Sequence, residues 1–81
     1  MNLKELGKKY NLVILDGETI QDLEEDLERS KEILEVWLKE LNRMSTFIAR
    51  YAKAIEVTKV YSERVEKLKK VLAKHEQEST H

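Results

Sequence analysis

From Ile20 onward the chain repeats one rhythm of apolar positions. Ile20, Leu23, Leu27, Ser30, Leu34, Trp37, Leu41 and Met44 recur at alternating steps of three and four, the spacing that holds one stripe of a helix against a packed neighbour. The rhythm breaks once. Phe47 follows Met44 by a second step of three, after which Tyr51, Ala54, Thr58, Tyr61, Val65, Leu68, Leu72 and His75 resume the alternation. One long helix with a phase slip and two helices joined by a turn both fit such a pattern.

Three features favour the turn. Folding the chain back about position 44 sets Ile20 opposite Leu68, Leu23 opposite Val65, Leu27 opposite Tyr61, Ser30 opposite Thr58, Leu34 opposite Ala54, Trp37 opposite Tyr51 and Leu41 opposite Phe47. The same fold-back lays the acidic stretch from Asp16 to Glu28 beside Arg64, Lys67, Lys69, Lys70 and Lys74. Asn42 is an acceptable helix stop, and Ser45 or Thr46 an acceptable N-cap. The expectation is an all-α antiparallel hairpin over residues 18–81. It comprises a helix about 19–42, a turn about 42–46, a helix about 46–76 and a frayed tail 77–81.

Residues 1–17 read as an arm. Asn2 can cap a small helix, with Glu5 three residues on, and Leu3, Leu6 and Tyr10 share its face. Asn11 tolerates the left-handed backbone that ends such a helix. Leu12, Val13, Ile14 and Leu15 form an apolar run too short for a helix, hence a short strand or an extended strap, closed by an Asp16-Gly17 turn. Thr19 is the expected N-cap of the next helix, with Asp16, Glu18 and Asp22 placed where the helix dipole favours carboxylates.

Composition supports the helical reading. The 81 residues include 38% charged and 6% aromatic side chains, no proline, and only Gly7 and Gly17 as glycines. The absence of cysteine excludes disulfides and thiolate zinc sites, so a chain this small is expected to draw stability from a partner surface. Abundant Glu and Lys with few Asn, Gln and Met would suit a thermophilic source. A net charge of −1 argues against a chain dominated by nucleic-acid or anionic-membrane binding. No apolar run approaches the roughly 20 residues of a membrane span, and Lys4 and Glu5 interrupt a signal-peptide reading, so the expectation is a soluble cytoplasmic protein without a membrane partner.

The apolar positions outnumber what one hairpin seam needs. Ile33 and Leu38 flank the first stripe, and Ile48, Ala52 and Ile55 form another beside the second. A wider apolar arc calls for more cover than one neighbouring helix supplies. Two hairpins meeting across these residues would build a dimeric four-helix bundle, although the arm could supply that cover within one chain.

Candidate chemistry is sparse. Leu3 to Leu12 has the apolar spacing, the small Gly7 and the turn residue Asn11 of the first helix in a helix-turn-helix DNA reader. The next segment, Thr19 to Asp26, would turn carboxylates toward phosphates. A ribbon-helix-helix arrangement fails because the apolar run offers no polar base-reading face. Arg64, Lys67, Lys69, Lys70 and Lys74 are the only basic concentration, and Glu63 and Glu66 stand four residues before Lys67 and Lys70, as on a solvated helix face. Glu78 and His81 give one Glu-x-x-His spacing on a polar tail, far from the mid-helix placement that a dinuclear carboxylate bundle uses. Glu25 with Glu28, Glu32 with Glu35, and Glu63 with Glu66 share the Glu-x-x-Glu spacing of all-helical nucleotide pyrophosphatases, without the accompanying ligand pair or arginine set. No nucleophile, phosphate loop, metal set or cofactor motif stands out. Trp37 reads as a core or dimer anchor, and Ser30 with Thr58 as a polar layer that could fix register.

The expected function is a non-enzymatic protein–protein interaction module, an adaptor or regulator that dimerises and binds an unidentified protein. The alternative is a small nucleic-acid-associated regulator using the Arg64-to-Lys74 stripe.

Overall fold

The computed structural model describes residues 2–43 and 49–79, and the regular elements among them are three helices: α1 (Leu3–Lys9), α2 (Ile20–Arg43) and α3 (Ala49–Ser79). Helices α2 and α3 pack along each other as a hairpin, and α1 lies against α3. The molecule is a rod of 52 × 19 × 18 Å with a radius of gyration of 15.3 Å, against about 12 Å for a compact globule of this length.

The arm folds through local hydrogen bonds. Asn2 Oδ1 accepts from the Glu5 N–H at 2.9 Å and starts α1. Asn11 takes the left-handed backbone, φ 59°, and turns the chain so that the Leu12 N–H donates to the Gly7 carbonyl at 2.7 Å. Burial then alternates along the strap: Leu12 and Ile14 are buried, while Val13 and Leu15 face outward. Gly7 permits this return, because a Cβ there would stand 2.5 Å from the Leu12 carbonyl oxygen. Gly17, φ 85°, completes the turn into α2. Thr19 and Asp22 cap that helix reciprocally: the Asp22 N–H donates to Thr19 Oγ1 at 3.2 Å and the Thr19 N–H to Asp22 Oδ2 at 2.9 Å.

The core sits at the arm end of the rod. Leu6, Leu12 and Ile14 from the arm close over Leu23 of α2 and Leu68 and Val71 of α3, with Leu3, Tyr10, Ile20, Leu27 and Leu72 packed around them. Val65 continues the buried seam. Beyond it toward the turn, only Ser30 and Ala54 are buried among the described residues, and Leu34, Trp37, Leu41 and Tyr51 are half covered.

The structure corrects the expected register. Helix α2 runs through Asn42, the expected stop, to Arg43. Leu23, expected opposite Val65, shares its cluster with Leu68 and Val71. Val71 was not expected in the seam; it is fully buried because the arm widens the covered face of α3. The expected polar layer does not form as a cross-helix pair: Ser30 Oγ donates to Asp26 Oδ1 at 3.1 Å and Thr58 Oγ1 to the Ala54 carbonyl at 2.7 Å, each within its own helix. Helix α3 extends through 77–79, where a frayed tail was expected. The rest of the expected turn, the seam residues Met44 and Phe47, the caps Ser45 and Thr46, the interface residue Ile48, and His81 lie outside the described residues.

Candidate interaction surface

One ion pair orients the rod. Arg64 of α3 donates from Nε to Asp26 Oδ1 of α2 at 3.2 Å, and its Nη2 bonds the other carboxylate oxygen. That hydrogen bond is the main reason the Asp26 carboxyl sits below its ordinary value; partial burial opposes it, and the Arg64 charge and the Ser30 hydroxyl reinforce it. The same bond raises Arg64.

The pair defines one side of the hairpin. At 100° per residue, Ile33 lies two turns along α2 from Asp26 on nearly the same line, and Val60 lies one turn from Arg64 on α3. Ile33 and Val60 therefore share the ion-pair side. The arm tip does too, since Asn11, Leu12 and Val13 line one shallow concavity with Val60, Glu63, Arg64 and Lys67. Leu38 is five residues from Ile33 and Ile55 is five from Val60, each about 140° around its helix. They fall on the opposite side of the seam.

Hence the apolar excess forms two margins. The ion-pair margin exposes Ile33, Val36 and Val60 below the arm tip. The arm-free margin exposes Leu38 and Ile55, at 47% and 46% of their surfaces, with Ala52 also exposed beside them. Of the residues expected at a dimer interface, Leu38, Ala52 and Ile55 are thus brought to one margin and Ile33 to the other.

The basic stripe is less available than its sequence suggested. Arg64 is committed to Asp26, Lys67 and Lys74 are half-buried, and Lys69 and Lys70 are exposed. Lys67, Lys70 and Lys74 align along α3, whereas Lys69 points about 100° away from Lys70. Among the described residues no group of three or more His, Cys, Asp or Glu side chains is placed to hold a metal ion. The concavity between α1 and the strap, lined by Lys4, Lys8 and residues Gly7, Asn11, Leu12, Val13 and Ile14, brings no nucleophile and acid–base pair together. No described helix is long and apolar enough to cross a membrane.

No family model matches the chain, and neither a curated protein nor a solved structure is detectably similar to it.

The surface area gives the margins a scale. The chain exposes 6089 Å². A compact monomer of 9.6 kDa exposes about 5,100 Å², so the rod carries roughly 1,000 Å² in excess. A standard interface covers about 800 Å² on each partner.

Proposed function

We propose that this chain is a non-enzymatic interaction module: a homodimeric helical-bundle adaptor or regulator that presents its remaining helix faces to another protein. The observation that carries the reading is the arm-free margin. Leu38 and Ile55 lie half exposed at the same level of a rod whose surface exceeds a compact monomer's by about one standard interface. The arm occupies the other side, so this margin is open along the rod and a second hairpin can lie on it to complete four helices.

Sedimentation equilibrium tests the proposal. The wild type should approach twice 9.6 kDa at micromolar concentration. Leu38→Lys with Ile55→Lys should shift it to monomer, since burying two unpaired ammonium groups in an interface costs several kcal/mol. Ile33→Lys with Val60→Lys, on the ion-pair margin, should leave the dimer mass intact. A wild type that remains at 9.6 kDa up to high micromolar concentration, with a melt independent of concentration, overturns the proposal.

A further inference from the structure

The charges along the rod are segregated by its ends. Residues 29–60, which form the turn end, carry seven Lys and Arg against four Asp and Glu, a net of +3; the remainder, which forms the arm end, carries eight against twelve, a net of −4. The acidic excess is concentrated just before and along the first half of α2, where Glu18, Asp22, Glu24, Glu25, Asp26 and Glu28 occur with no basic residue among them. Among the described residues, Asp26 takes Arg64 of α3 as its ion-pair partner, and the Glu18 charge also acts on that guanidinium.

We propose that two copies pair antiparallel along the arm-free margin, the arm end of each against the turn end of the other. The inference rests on the homodimer reading above and adds its orientation. Antiparallel pairing sets −4 beside +3 twice, whereas parallel pairing sets each end against its own kind. The apolar and charged positions of α2 then agree on one register. With the two-fold axis crossing α2 near position 33, Leu38 of one copy meets the half-buried Leu27 of the other, and the Glu28–Lys31 ion pair of one copy lies beside the Glu35–Lys39 pair of the other. The acidic stretch 18–28 lies at the axial level of Lys39 and Arg43 of the other copy's turn end. Such an interface is isologous and closes at two chains.

The chain has no cysteine, so single cysteines at the neutral, exposed positions Gln21 and Asn42 carry nitroxide labels without background. One label per chain makes every measured distance intermolecular. In the antiparallel dimer, labels on Asn42 are separated along the axis by about 28 Å, and a mixture of Gln21-labelled and Asn42-labelled chains shows a short cross-distance of about 10–20 Å. In a parallel dimer the two results exchange. A second readout is the sign of the salt effect: self-association should weaken several-fold as sodium chloride rises from about 0.05 to 0.5 M, whereas a parallel pair would strengthen as repulsion is screened.

Circular dichroism confirms that each labelled chain keeps its helix content. A short Asn42–Asn42 distance, or long distances in both samples, overturns the antiparallel arrangement while a dimer mass leaves the homodimer standing. A monomer mass at every concentration removes the homodimer and the orientation with it.

Discussion

Gly7→Ala sets two effects of opposite sign against each other at one atom. Alanine in place of a helix-interior glycine ordinarily stabilises by about 0.5–1 kcal/mol, because it removes backbone freedom from the unfolded chain. Here the added Cβ would stand 2.5 Å from the Leu12 carbonyl oxygen and 2.9 Å from Ile14 Cδ1. Ile14 can turn a rotamer, but the Leu12 carbonyl is backbone. It is held in place by the Leu12 N–H bond to Gly7 itself. The strap must therefore retreat by roughly 0.5–1 Å before normal contact is restored.

Retreat moves Leu12 and Ile14, exposed by only 5% and 7%, away from Leu6, Leu23, Leu68 and Val71. Overpacking of this kind costs about 1–3 kcal/mol, and complete release of both side chains would cost about 3–6 kcal/mol. The net expectation is destabilisation by about 1–2 kcal/mol if the strap shifts, and more if it detaches. Urea denaturation at fixed protein concentration measures the change, and hydrogen exchange at the Leu12 amide distinguishes shift from detachment. A Gly7→Ala chain as stable as the wild type, or more so, would show that the strap does not press on Gly7 and would refute the packing argument.

The remaining predictions concern the uneven core and the ion pair. Leu68→Ala, at the centre of the arm-end cluster, should destabilise by about 2–5 kcal/mol in urea. Trp37→Ala should cost less than the roughly 3–5 kcal/mol of a fully buried tryptophan when measured at concentrations too low for self-association, since Trp37 is not fully buried within one chain. Asp26 has a lowered folded value, so its contribution is fully present above the unfolded carboxyl value near 3.8 and is lost as pH falls through the folded one. Asp26→Asn should flatten the acid limb of the stability-versus-pH profile, at a neutral-pH cost of about 1 kcal/mol given that Arg64 is partly solvated; an unchanged acid limb would show that the pair does not couple to folding.

The pattern of threes and fours left a long helix and a hairpin both open, and the complementary charges of the two helical stretches tipped the reading toward the hairpin that α2 and α3 form. Asn2, Asn11, Gly17 and Thr19 were legible because each acts on backbone groups within three or four residues. Register was not. A heptad pattern folded on itself gives good seam pairings at several offsets, and the structure groups Leu23 with Leu68 and with Val71, which the arm covers. Ser30 shows the same limit. Its small hydroxyl suggested a cross-helix layer, but Asp26, one turn earlier, offered a nearer acceptor and was itself drawn to Arg64. The division of apolar residues between two margins also needed an anchor that no single-helix pattern supplies. Ile33 and Leu38 flank one stripe in sequence, yet only the seat of the arm beside Val60 and Arg64 shows which margin is covered and which is left open.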